Sequence, residues 1–281
     1  MKAITLVAIT VFVMQNITGQ PAVNYQNLEE ALKNTKEVEW LTLSNQDLNQ
    51  FPLQILEFNN LKYLDLSQNH ISQLPEEISR LEHLLYLDLT GNEIKELPQS
   101  FSNIKNLQNL HLGYNQSAML EQELEVLSKL PRLKMLDLKG AGLTFLPPTI
   151  GKLKSLEFLE LSNNKIEVLP IELAQMTNLQ VLYVENDEFF DFKKNISVLS
   201  KLPKLRELHL EGDRFSQIPR EIENLQSLEF LYIGNNEISD LPKELFKLRQ
   251  IKEINLSNNA MPNLLIDMYR EYLPPTIKIT F

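Results

Sequence analysis

The sequence predicts an α/β solenoid, a horseshoe of about ten units of 23–26 residues with parallel strands on the concave face and short helices and turns on the convex one. Three observations predict it. A hydrophobic grid runs Leu61, Leu64, Leu66, Asn69, Ile71, Leu74-Pro75, Ile78, Leu81, and restarts 23 residues later as Leu84, Leu87, Leu89, Asn92, Ile94, Leu97-Pro98, Phe101, Ile104. Units begin in this way at Val38, Leu61, Leu84, Leu107, Leu133, Leu156, Leu179, Leu205, Leu228 and Ile251. The ninth place of most units is a polar residue, usually asparagine. Self-similarity at a fixed short period means stacked units, none of which buries its apolar face alone.

Each element follows from local chemistry. The paired leucines of a unit, such as Leu64 and Leu66, sit two apart, so they share one face of a short strand and the residue between them takes the other. Asn69, Asn92, Asn115, Asn164, Asn236 and Asn259 can each offer two donors and an acceptor to turn backbone that has no ladder partner. Asp187 and Asp213 imitate this in part, Gln46 is one methylene too long, and Ala141 cannot do it, so the ladder should be weakest at Ala141. A Leu-Pro step follows in half of the units, as at Leu169-Pro170, where proline fixes φ and opens a short helical turn. Apolar residues three apart, Leu173 and Met176, then face the core from the convex side.

The fourth and seventh units, Leu107 to Arg132 and Leu179 to Lys204, are 26 residues long and lack that step. Each carries an amphipathic run instead, Leu120, Leu124, Leu127, Leu130 in one and Phe192, Ile196, Leu199, Leu202 in the other. Both end in Val-Leu-Ser-Lys-Leu-Pro, at Val126–Pro131 and Val198–Pro203. The offset of 72 residues persists in Ser155-Leu-Glu-Phe-Leu159 and Ser227-Leu-Glu-Phe-Leu231. We read a duplicated three-unit block with a longer convex helix in every third unit.

The ends do not fit the grid. Lys2 precedes an apolar run from Ala3 to Met14, and a small residue, Gly19, stands at a plausible cut. That is the pattern of a secretory signal peptide, assigned to residues 1–19, and the run is too short to span a bilayer. Residues 20–37 should form an N-terminal cap, with Asn27 capping a helix at Leu28-Glu29-Glu30. Repeats fill 38–262, and 263–281 should close the stack with a helix, Asn263–Tyr272, and a strand containing Ile277 and Ile279.

Composition narrows the function. With 27 Lys+Arg against 37 Asp+Glu the net charge is −10, or −11 without Lys2, which is not the electrostatic footprint of a nucleic-acid binder. Zero cysteines exclude disulfides, thiol catalysis and cysteine metal sites. The eight glycines form no phosphate-binding loop, and no cofactor is expected. His111 and His209 fall four strands apart, roughly 19 Å, so they cannot share a metal.

In its L-x-x-L-P-x-x-I-x-x-L-x-x-L units the chain resembles leucine-rich repeat (LRR) proteins of the Ras-group or Shoc-type class. With its apparent signal and cysteine-free cap helix it is similar to the small exported LRR proteins of bacteria such as spirochaetes and Bacteroidetes. That resemblance implies the solenoid and a binding role, and it specifies no ligand.

A partner would be sought on the strands' outward residues. One column reads Trp40, Tyr63, Tyr86, Asn109, Met135, Phe158, Val181, Glu207, Phe230, Glu253, and the next reads Thr42, Asp65, Asp88, His111, Asp137, Glu160, Tyr183, His209, Tyr232, Asn255. Exposed aromatics and clustered charges on a rigid concave face suit recognition; the alternative is that aromatics at this place, such as Trp40, Tyr63, Tyr86, Phe158 and Phe230, merely pack sideways on one another. The expected ligand-binding set is Trp40, Tyr63, Asp65, Tyr86, Asp88, His111, Asp137, Phe158, Glu160, Tyr183, His209, Phe230 and Tyr232, with no catalytic or metal residue. Asp65 and Asp88 adjoin in one column, but a repeated aspartate is a solvated stripe before it is an acid–base pair. The sequence therefore predicts an exported, non-catalytic module for a protein or peptide, or a glycan. The alternative is an intracellular signalling scaffold.

Overall fold

The computed structural model describes residues 23–116, 120–272 and 276–281; the expected signal segment lies outside them. Twelve parallel strands among these residues form one open sheet whose spatial order is the chain order. They are β1 (Asn24–Tyr25), β2 (Trp40–Thr42), β3 (Tyr63–Asp65), β4 (Tyr86–Asp88), β5 (Asn109–His111) and β6 (Met135–Asp137). The stack continues through β7 (Phe158–Glu160), β8 (Val181–Tyr183), β9 (Glu207–His209), β10 (Phe230–Tyr232), β11 (Glu253–Asn255) and β12 (Lys278–Thr280). Register is strict, each leucine opposite the next unit's leucine, as in Leu64 with Leu87 and Leu159 with Leu182.

The leucine grid makes one continuous core from Tyr25 to Met261. Leu64, Leu66, Leu159, Leu161 and Leu208 are wholly inaccessible. Ninth-place asparagines work as their chemistry requires. Asn69 Oδ1 accepts the N–H groups of Gln46 and Leu48 at 3.0 and 3.1 Å, and its Nδ2 donates to the carbonyls of Leu43 and Leu66. Asn92, Asn164, Asn236 and Asn259 repeat the donor part of this arrangement. Asp213 keeps only the acceptor half: Oδ1 takes the Asp187 N–H at 2.7 Å, while Oδ2 is buried without a hydrogen-bond partner. At Ala141 there is no side-chain acceptor; the Asn115 N–H bonds its own unit's Leu112 carbonyl at a long 3.3 Å, as the Ala141 N–H bonds that of Leu138 at 3.4 Å.

The residue before this place has positive φ in every unit: Asn45, Gln68, Gly91, Tyr114, Gly140, Asn163, Asn186, Gly212, Asn235 and Asn258. A left-handed residue turns the chain out of the strand, and asparagine or glycine carries it at least strain. Gly140 has a second reason to lack a side chain, because a Cβ there would lie 2.5 Å from the ring of Tyr114.

Convex elements divide as the Leu-Pro step predicts. Where it is present, proline stands immediately before or at the start of a five-residue 3₁₀ turn, as at Glu76–Arg80 after Pro75 and Ile171–Gln175 after Pro170. The two long units carry α-helices instead. After the N-terminal cap helix α1 (Leu28–Ala31), these are α2 (Leu120–Leu127) and α3 (Phe192–Leu199), and α4 (Asn263–Tyr272) follows the last repeat. Asn27 caps α1 by accepting the Glu30 N–H at 3.1 Å, and Asp191 caps α3 through Lys194 N–H. The short strand β1 is an addition to the expected cap; it pairs in parallel with β2. β12 closes the other end on β11, with Ile279 opposite Ile254.

Candidate functional site

Both outward columns lie on the sheet as expected, but most of their residues are not open to solvent. Tyr63, Tyr86, His111, Asp137, Phe158, Glu160, Tyr183 and His209 are buried, and Trp40, Asp65, Asp88, Phe230 and Tyr232 are half-buried. The expectation of a broad exposed aromatic surface is corrected accordingly. Parallel strands about 4.8 Å apart bring equivalent side chains nearly to stacking distance, so long side chains cover one another.

Two stacks result. Trp40 lies on Tyr63 with centroids 5.1 Å apart, Tyr63 on Tyr86 at 4.3 Å, and Tyr86 against His111 at 5.0 Å. Further along, Phe158 meets Tyr183 at 5.2 Å, Tyr183 lies on His209 at 3.6 Å, and His209 on Tyr232 at 4.3 Å. Phe158 and Tyr183 of the second stack join Met135 and Val181 in a second hydrophobic cluster on the concave side, apart from the leucine core. The accessible parts of the face are its two ends, Trp40, Thr42, Asp65 and Asp88 at one and Glu207, Phe230, Tyr232 and Glu253 at the other.

The acidic column has a backbone task. Asp65, Asp88, Asp137 and Glu160 each accept the N–H two residues on, from Ser67, Thr90, Lys139 and Ser162 respectively. Those amides stand where the chain leaves the strand. Burial pushes the Asp65 carboxyl up, against its Ser67 hydrogen bond and with the Asp88 charge adding to the rise. Burial likewise raises Glu160 to about 7, opposed by Ser162 and assisted by Asp137. Burial and neighbouring carboxylates raise Tyr63, Tyr86 and Tyr183 well above the ordinary phenol, and Tyr232 to about 12. Tyr86 donates its hydroxyl to Asp88 Oδ2 at 3.3 Å, and the buried Tyr183 hydroxyl has no hydrogen-bond partner.

The two buried histidines differ. His111 Nδ1 lies 3.3 Å from Asp137 Oδ2; burial lowers its pKa, but Asp137 and Asp88 outweigh that and raise it. His209 Nε2 meets Glu207 Oε1 at 2.8 Å, and Nδ1 lies 3.5 Å from Glu185 Oε1 and 4.0 Å from Glu211 Oε2. Burial again acts downward, and the three carboxylates reverse it, lifting His209 to about 10. His111 on β5 and His209 on β9 are four strands apart in the sheet, the separation the sequence predicts. Glu185 and Glu211, outside the sequence-predicted set, stand at the seventh place of their units, just beyond the strands. The available signal was that only these two units carry an acid there.

No curated protein matches the chain. Among solved structures, TLR13 in the TLR13–ssRNA13 complex is 24% identical with a TM-score of 0.69, over 81% of this chain and 34% of that one. Internalin C2 from Listeria monocytogenes is 18% identical with a TM-score of 0.53, over 80% of this chain and 84% of that one. A Leptospira interrogans LRR protein is 23% identical with a TM-score of 0.42, over 92% of this chain and 100% of that one. At these identities the likeness to TLR13 and to internalin C2 is one of fold alone. The chain spans about a third of the TLR13 chain. The leucine-rich repeat region family matches residues 37–121, 115–195 and 190–270, and with the single parallel sheet and its asparagine ladder this makes the chain a member of the leucine-rich repeat family.

Proposed function

We propose that the protein is an exported, non-catalytic binding module that recognises a protein or peptide, or a glycan, through its concave face. The observation that carries the reading is a preformed concave sheet whose side chains are locked by lateral stacking and remain accessible at two ends. A surface held in this way loses little entropy on binding. Trp40 offers an aromatic face beside Asp65 and Asp88 at one end, and Phe230 and Tyr232 stand beside Glu207 and Glu253 at the other. The first end is acidic through Asp65 and Asp88, which favours basic segments of a partner and disfavours nucleic acid. At the second, Glu207 faces His209 and Glu253 pairs with Lys278 at 2.7 Å. TLR13 is known from a complex with single-stranded RNA. The net charge of −10 speaks against carrying that ligand over to this chain. Export rests on the signal-like pattern of residues 1–19. Among the described residues no helix is long and apolar enough to cross a membrane.

The test is affinity capture from host and bacterial surface extracts with the wild-type chain and two variants, Trp40→Ala/Asp65→Asn and Phe230→Ala/Tyr232→Ala. A partner of the concave face is lost or weakened at least ten-fold by one of them, and its binding weakens as salt rises. A partner indifferent to both variants but lost on Lys194→Glu, on the exposed side of α3, would place the binding surface on the convex face.

A further inference from the structure

We propose that Glu185, His209 and Glu211 form a site for a divalent d-block cation, with Zn²⁺ as the reference ion, on the concave side at the exits of β8 and β9. One ligand atom from each of the three residues falls within 4.8 Å of the others. Ligands of a tetrahedral ion at zinc distances stand about 3.4 Å apart. Nδ1 of His209 is already 3.5 Å from Glu185 Oε1 and 4.0 Å from Glu211 Oε2, so closure needs the two carboxylates, within 4.8 Å of each other, to draw in by at most about 1.4 Å. One imidazole with two carboxylates is a donor set that d-block dications share, whereas Mg²⁺ and Ca²⁺ prefer oxygen alone.

The second observation is the histidine itself. His209 is 5% exposed, and its Nδ1 makes no hydrogen bond while pointing between the two glutamates. The other nitrogen is committed, since Nε2 meets Glu207 Oε1 at 2.8 Å. A carboxylate on the far nitrogen of a metal-binding histidine sets its tautomer and directs the free lone pair at the ion. Tyr183 and Tyr232 hold the ring flat between them, with interplanar angles of 12° and 15°. Three carboxylates crowd one imidazole at a buried position, and a dication compensates more of that charge than a proton can. On binding, the Nδ1 proton leaves to solvent as the metal–nitrogen bond forms, with no redox change.

The repeat consensus does not account for the constellation. In the duplicated block 72 residues earlier, the places of Glu185, Glu207, His209 and Glu211 are held by Gly113, Met135, Asp137 and Lys139. All four members are therefore particular to one copy. The site stands whether or not the face also binds a macromolecule.

Tag-free protein stripped with EDTA is dialysed against zinc sulfate and the bound metal counted. One equivalent of Zn²⁺ is expected. Glu185→Gln and Glu211→Gln should each weaken it at least ten-fold, His209→Gln should abolish it, and Glu207→Gln should weaken it about 10–100-fold by releasing the ring. His70→Ala removes an exposed histidine near Asp47 and Glu93 and should change nothing. Far-UV circular dichroism establishes that each variant is folded. A second readout needs no variant: with only four histidines, imidazole ¹⁵N spectra of the wild type should show zinc moving Nδ1 of one buried ring. Absence of bound zinc in folded wild type at about 100 µM metal, or binding that Glu185→Gln and Glu211→Gln both leave unchanged, overturns the proposal.

Discussion

Glu160→Gln should stabilise the protein, and the gain should grow with pH. Glu160 is 2% exposed on β7, its Oε1 accepts the Ser162 N–H at 2.7 Å, and burial holds its carboxyl at about 7 against an ordinary 4.5. Because the folded pKa is the higher one, the native state binds the proton more tightly than the unfolded chain does. The associated stability is complete below about pH 4.5 and is lost as pH rises toward 7. Glutamine keeps the acceptor and the volume and cannot ionise. Linkage with these two values puts the cost of wild-type Glu160 at roughly 1 kcal/mol near pH 5 and roughly 3 kcal/mol near pH 8. The advantage of the variant should therefore widen by roughly 2–3 kcal/mol over that interval. For a chain of this size each kcal/mol moves the midpoint by roughly 2–4 °C, so the melting curves should separate by about 5–10 °C more at the higher pH. Thermal melts followed by far-UV circular dichroism on both proteins at several pH values measure it. Parallel profiles, or a gain larger near pH 5, would refute the assignment of Glu160 as a carboxyl ionised against its surroundings.

The remaining predictions concern the stack and the N-terminus. Leu161 is wholly buried beside β7, so Leu161→Ala should cost about 2–5 kcal/mol in urea denaturation, and a cost under 1 kcal/mol would mean the core there is not packed as described. Ala141→Asn should give the Asn115 N–H a side-chain acceptor in place of its long bond to Leu112; it should be neutral or stabilise by about 1 kcal/mol in the same assay. Gly140→Ala should destabilise, because the left-handed φ of +62° and the Tyr114 ring both oppose a Cβ; Gly140→Ala combined with Tyr114→Ala should recover the steric part only. Intact-mass measurement of the native protein should find an N-terminus near Gln20, and recovery of Met1 from an exported fraction would exclude the signal reading.

Repetition made much of the architecture legible in the sequence. The inward side of each three-residue strand, the proline-led turn and the two longer convex helices follow from spacing within one unit, and ten copies of one pattern leave little freedom in how units stack. Asn27 as a cap and the missing acceptor at Ala141 were readable for the same reason, since each depends on residues in its own or the adjoining turn. The outward face was not readable in this way. Whether Tyr63 or His111 meets solvent depends on the side chain one strand over, and the inter-strand spacing lets neighbouring rings cover one another. Hydrophobic periodicity records which side of the strand a residue takes and says nothing of that lateral cover. The cluster of Glu185, Glu207, His209 and Glu211 shows the same division most sharply. Its members are ordinary polar residues 26 positions apart in the chain at most, and only parallel pairing in exact register brings two strand exits together around one imidazole. The order of residues determined the solenoid, because its forces are local and repeated; the tertiary structure alone decided which side chains are covered and which charges meet, because those forces act between neighbouring turns.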